Sequence, residues 1–195
     1  MKKRHFLGAA LSAAALPAAG AATSADLQRA PGPALLTLTG ALARSNRGPF
    51  DPVLDQMMHK QKLRFEKAFS IDFGALLALP ALSIRPTLEY DSRPHALRGP
   101  LLLDVVALSG TRPREDATLL LRAVDGYAVA LTVAQARAQR FIVATHLDGT
   151  PMALGGLGPL WAVYDADRFA DMAAKPVAER FGACPWALYH IEVTG

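Results

Sequence analysis

Apolar and polar positions along this chain recur in short runs, each closed by glycine, proline or a charge cluster. "LLTLTG" (Leu35 to Gly40) alternates leucine with threonine and ends on glycine, the period of a half-buried strand. Residues 44 to 69 are charged and irregular, with a helix expected around Pro52 to Lys62. "SIDFGALLALP" offers Ser70 or Asp72 as an N-cap and Pro80 as a stop, which predicts a short helix. "ALSIRPTLEY" resumes an extended pattern. "RGPLLLDVVALSG" is the clearest helix, with Pro100 in its first turn and Gly110 at its end. Leu101, Val105 and Leu108 line one face of it, and Asp104 lies off that face.

Beyond the "TRPRED" loop, "ATLLLRAV" and "YAVALTV" read as two strands joined at Asp125-Gly126, a favoured hairpin turn. Thr132 caps a short helix to Gln139, and "RFIVATHLDG" is a strand running into a second Asp-Gly turn. "GPLWAVYD" and "WALYHIEVTG" are further strands, the last of them closing the sheet. Short strands with short helices between them predict an α+β fold with mixed or antiparallel sheets. A doubly wound parallel sheet would need longer helices between its strands.

The first 25 residues follow a different logic. Lys2, Lys3 and Arg4 precede an apolar stretch from Phe6 to Leu16, and small residues follow up to Ala25. That is the layout of a cleaved bacterial secretory signal, so residues 1–25 are expected to be a leader and 26–195 a single exported domain. Lys3-Arg4-His5-Phe6-Leu7 also echoes a twin-arginine signal, with lysine in the first arginine's place. The leader supplies three of the 21 basic residues, leaving 18 against 17 acidic ones. So balanced a mature chain is not a nucleic-acid binder. Lys60, Lys62, Arg64 and Lys67 form the only basic cluster, expected as a solvated face. Cys184 is the single cysteine, so no internal disulfide can form and stability must come from packing.

Several chemistries are excluded by spacing. "GGLGP" lacks the dinucleotide-binding pattern, there is no phosphate-binding loop, and "DFG" at 72–74 has no kinase partner motif. No Gly-x-Ser-x-Gly elbow is present. His59, His95, His146 and His190 are too scattered to announce a metal site.

The order of segments carries more. "LLTLTGAL", "RPHALRGPLLLDVVALSG", "DGYAVALTV", "LDGTPMALGGLGPLWAVYD" and "PWALYHIEV" follow one another in a series that resembles the molybdopterin-binding domain of the sulfite-oxidase superfamily. The likeness runs from about Leu35 to Val193 and is strongest to short exported members, the PruR-type periplasmic pterin-binding proteins. That resemblance implies a sulfite-oxidase-like fold, a reduced pterin as ligand, and action on the periplasmic domain of a membrane diguanylate cyclase/phosphodiesterase. Active enzymes of the superfamily ligate molybdenum through a cysteine before the Gly-Pro-Leu-Leu motif. The corresponding "SIRPTLEYDSRPHALRGPLL" contains none, and Pro86, Thr87 or Glu89 cannot replace a soft sulfur ligand.

A flat pterin needs a ring or guanidinium plane to stack on and polar groups to read its edge. The residues that this points to are Tyr90, Tyr127, Trp161 and Tyr164 as planes, with His95, Arg98 and Asp125 as edge contacts. Trp161 and Tyr164 fall on opposite faces of one strand, so core and ligand wall are both open to them. The glycines of residues 147–165 are expected to let backbone approach the ligand. Three readings follow: a non-catalytic pterin-binding protein, a molybdopterin-dependent oxidoreductase with an unusual metal site, and a structural or interaction module with an empty pocket.

Overall fold

In the computed structural model, residues 32–195 are described, and the leader expected over residues 1–25 lies outside them. The chain runs β1 (Ala34–Gly40), α1 (Gln56–Lys60), β2 (Ala68–Asp72), α2 (Phe73–Leu77), β3 (Ala81–Ile84), β4 (Leu97–Pro100) and α3 (Leu102–Ala107). It continues through β5 (Thr118–Ala123), β6 (Ala128–Thr132), α4 (Val133–Ala138), β7 (Ile142–Ala144), β8 (His146–Leu147) and β9 (Thr150–Pro151). β10 (Trp161–Val163), α5 (Ala170–Ala173) and β11 (Leu188–Thr194) complete it. The fold is α+β with mixed sheets and short helices, as the patterning predicts.

The main sheet has the order β2-β1-β11-β5-β6. β11 pairs parallel with β1, Thr37 opposite His190, and antiparallel with β5. The last strand therefore sits at the centre of the sheet rather than closing an edge. Its run of apolar residues is buried almost throughout, as a central strand requires. A second layer combines the sheet β3-β4-β8-β9 with the pair β7-β10. Leu36, Leu38, Leu119, Leu121 and Ile191 from the first layer meet Leu97, Leu102, Val105 and Ile142 from the second in one core. Fully burying each such side chain stabilises the fold by about 1.5–3 kcal/mol.

The irregular stretch 44–69 covers the other face of the main sheet. Its Met58 and Leu63 are buried against Tyr189 of β11, with Phe50 and Phe65 packed around them. The helix expected over Pro52 to Lys62 is only α1, because residues 52–54 form a turn. Lys60, Lys62 and Lys67 are exposed, while the Arg64 guanidinium lies 4.3 Å from the Phe50 ring centroid.

Two further differences have local causes. Of the two expected caps, Ser70 lies within β2 opposite Thr37 of β1 and caps nothing, whereas Asp72, at the end of that strand, does cap the expected short helix α2. Asp72 serves both elements: its Oδ1 accepts from Ala75 N–H at 2.7 Å, capping α2, and its Oδ2 accepts from Gly32 N–H at 2.9 Å. Pro100 ends β4 and does not begin a helix; α3 starts at Leu102, with Leu102 and Val106 buried beside Val105. Gly99 explains why this segment is extended. A Cβ there would lie 1.9 Å from the Val143 carbonyl oxygen, so only glycine lets β4 pass β7 so closely. Thr132 caps α4 as expected, in a reciprocal box with Gln135.

Candidate functional site

The hairpin β5–β6 turns at Asp125-Gly126, where Asp125 Oδ1 accepts from Tyr127 N–H at 2.9 Å. That contact orients the turn and directs Tyr127, about half exposed, over the segment 181–186. The Tyr127 hydroxyl donates to the Gly182 carbonyl oxygen. The same segment is held from beneath by Trp161, whose indole N–H donates to the Cys184 carbonyl oxygen at 2.8 Å. A third wall comes from the β3–β4 connection. Leu88 N–H donates to Arg93 O at 2.9 Å and Thr87 bridges Pro94, so residues 86–95 form a narrow hairpin. Glu89 and Tyr90 sit at its tip.

These three segments enclose a cleft of about 340 Å³, at the lower end of the range for small-molecule sites. Tyr90, Tyr127 and Trp186 are 56%, 49% and 38% exposed, so three aromatic surfaces remain open to a ligand. Glu89 and Asp125 supply carboxylates, and no lysine or arginine lines the cleft. Partial burial, and then the Glu89 carboxylate beside it, push the Tyr90 hydroxyl up to about 12, so it stays a neutral hydrogen-bond donor. Cys184 forms part of the floor and is 3% exposed. Burial pushes its thiol well above the ordinary range, so it is held protonated.

Of the residues singled out from sequence, the fold brings Tyr90, Asp125 and Tyr127 together on this cleft. Trp161 and Tyr164 are each 1% exposed and belong to the core. Tyr164 stacks on Phe141 with ring centroids 4.9 Å apart and donates its hydroxyl to Arg180 O at 3.1 Å. Trp161 packs on Phe181 and acts on the cleft only through the Cys184 carbonyl. Both faces of β10 are buried because β7, the segment 181–186 and the main sheet cover it.

His95 and Arg98 lie off the cleft. Arg98 is exposed on β4, opposite Ser83 and His146. His95 is engaged elsewhere, between Asp91 and Asp148. The glycine-rich stretch approaches its own chain: a Cβ on Gly158 would lie 2.4 Å from the Met152 Cβ and 2.5 Å from its carbonyl oxygen. Glu89, Trp186 and Cys184 were not among the expected contacts. "GACPWALYH" does put the lone thiol two residues from a tryptophan, a signal that only the fold connects to Glu89 and Tyr90.

A larger cleft of about 360 Å³ is lined by Leu35, Leu54, Met57 and Leu154, with Arg47 and Asp55 already paired at 2.7 Å. Its one aromatic lining residue, Tyr189, is 7% exposed and donates its hydroxyl to Gln61, so no open ring faces the cleft as Tyr90, Tyr127 and Trp186 do in the other. Among the described residues no group of three or more His, Cys, Asp or Glu could hold a metal ion. No described helix is long and apolar enough to cross a membrane.

No protein-family profile matches the chain, and no curated protein matches it. Solved structures do. One is the sulfane dehydrogenase SoxCD from Paracoccus pantotrophus, with a TM-score of 0.52 and 10% identity over 82% of this chain and 37% of that one. The chain thus spans little more than a third of that protein's length. At this identity the likeness is one of fold, and the fold is the sulfite-oxidase-like one that the order of motifs implies.

Proposed function

We propose that this is an exported, non-catalytic pterin-binding protein whose cleft between Tyr90, Tyr127 and Trp186 takes a reduced pterin without a phosphate. The observation that carries the reading is the make-up of the cleft. Three open aromatic surfaces offer stacking to a flat ring, and the carboxylates of Glu89 and Asp125 are acceptors for its amino and ring N–H groups. A phosphate would meet two carboxylates and no cation, an arrangement opposite to that of phosphate sites.

The same residues do not fit a molybdenum centre. The metal needs a deprotonated soft ligand. Segment 83–102 has no cysteine, and the Cys184 thiol on the cleft floor is buried and held protonated. No oxidoreductase step follows from such a donor set. In the same proposal the occupied protein acts on the periplasmic domain of a membrane diguanylate cyclase/phosphodiesterase, as the motif resemblance implies. Export is tested by mass spectrometry of the mature chain: a new N-terminus between Ala22 and Asp26 supports it, and an intact Met1 on cytoplasmic protein opposes it.

The cleft is tested by alanine variants. Tyr90→Ala or Trp186→Ala removes a stacking surface worth about 0.5–1.5 kcal/mol beyond area burial. Tetrahydrobiopterin affinity then falls by roughly two- to tenfold, with little change in melting temperature because both side chains are partly exposed. Unchanged affinity in both variants would place the ligand elsewhere. Absence of any pterin binding would leave the structural or interaction module.

A further inference from the structure

The loop that forms the outer wall of the cleft has a histidine between two carboxylates at its base. His95 Nε2 lies 2.9 Å from Asp91 Oδ2 in its own loop, and Nδ1 lies 2.6 Å from Asp148 Oδ2 in the β8–β9 turn. Ionised carboxylates only accept hydrogen bonds. Both ring nitrogens must therefore carry protons, and the contact exists in full only for the imidazolium. A neutral ring keeps one proton, so one nitrogen lone pair would face a carboxylate oxygen and that contact would fail. The backbone continues the fastening: Ala96 N–H donates to Asp148 Oδ1 at 2.9 Å, and Asp148 N–H to Ala96 O at 2.8 Å.

We propose that the Asp91–His95–Asp148 contact is a pH-operated clasp that holds the Glu89–Tyr90 tip in place and so regulates the cleft. The functional half of this rests on the cleft being a ligand site; the clasp itself does not. The two carboxylates raise His95 above its ordinary range, with Asp148 the larger influence and Asp91 the second. His95 in turn lowers both carboxyls, as do, more weakly, Arg93 near Asp91 and Arg85 near Asp148. Asp148 and Asp91 are the charged groups that act on the ring itself, and the two arginines act on those carboxylates. The clasp is therefore complete through the ordinary histidine range and is lost as pH rises through the raised value. On the acid side it persists until pH falls below the ordinary carboxylate range of about 3.9. Release is local, because buried Leu88 and the Thr87 N–H to Asp167 Oδ2 contact at 2.7 Å keep the other side of the loop anchored.

The test joins a local readout to a binding readout on the mature protein. Ring-nitrogen NMR should show both His95 nitrogens protonated at about pH 6, with a titration midpoint above the ordinary value of about 6.5. Amide exchange at Ala96 should accelerate beyond its intrinsic pH dependence at that same midpoint. Tetrahydrobiopterin, the probe, should bind about fivefold or more weakly at about pH 8.5 than at about pH 6. In Asp148→Asn and His95→Gln that extra pH dependence should vanish, and the probe's own titration cancels in the comparison. A midpoint at or below the ordinary value, or exchange indifferent to it, overturns the clasp. Equal pH dependence in wild type and both variants overturns its regulatory role. If the loop loosens at the His95 midpoint but no pterin binds at any pH, the clasp stands and the cleft reading fails.

Discussion

Replacing Trp161 by alanine separates the core of this protein from its cleft. The side chain is 1% exposed, packs on Phe181 with ring centroids 5.9 Å apart, and donates the hydrogen bond to the Cys184 carbonyl. Truncating a buried tryptophan costs about 3–5 kcal/mol through lost transfer energy and the cavity left behind. The buried Cys184 carbonyl also loses its indole donor, a further penalty of about 1–3 kcal/mol if nothing replaces it. For a domain of this size each kcal/mol lowers the melting temperature by about 2–4 °C. The packing loss alone predicts a drop of roughly 6–20 °C, read by calorimetry at fixed pH. Trp161→Phe keeps part of the packing but loses the N–H donor to the Cys184 carbonyl. It should cost less stability and yet weaken ligand binding, because the segment 181–186 loses its support from beneath. A melting temperature within about 2 °C of wild type for Trp161→Ala would refute the assignment to the core.

His190 predicts an acid weakness. It is buried on β11 between Thr39 Oγ1 at 2.8 Å and Arg122 at 3.1 Å, and burial, then the Arg122 charge, push it down to about 3. The unfolded chain binds a proton near pH 6.5 that the folded chain refuses, so stability is full above that value and falls as pH drops toward about 3. Each pH unit in that window should cost up to about 1.4 kcal/mol in urea unfolding, and His190→Gln should remove that part of the slope; an unchanged slope opposes it. Gly99→Ala forces a methyl into the Val143 carbonyl and should destabilise by at least about 1–3 kcal/mol, visible as a lower urea midpoint. An unchanged midpoint would mean that β4 and β7 are not held as described.

Much of the fold was legible because strand period and turn chemistry agree. The Asp125-Gly126 hairpin and the Thr132 cap are set by neighbours in sequence, and both stand where the pattern put them. β2 was missed because Ser70 and Asp72 are good helix caps, and only pairing with β1 across the fold makes their segment a strand. Pro100 misled for a related reason. Proline suits a first helical turn, but the close approach of Gly99 to β7 keeps that segment extended. For the site, the residues near turns were readable: Tyr90, Asp125 and Tyr127 meet on the cleft. Trp161 and Tyr164 were ambiguous because alternation distinguishes two faces and says nothing of what covers each. Here both faces are covered. Glu89, Trp186 and Cys184 come from segments some 95 residues apart, a juxtaposition that no local pattern encodes.

The proposed pterin reading rests on the make-up of the cleft between Tyr90, Tyr127 and Trp186. Its one thiol, in the floor, is only 3% exposed, and its charged groups are carboxylates. Such a site favours a neutral, amino-bearing ring over an anionic one. Calorimetric titration of the protein with tetrahydrobiopterin, and then with dihydroneopterin triphosphate, tests this most directly. The account predicts saturable one-to-one binding of the first and much weaker binding of the second. Preference for the phosphorylated pterin, or no heat with either, would contradict it.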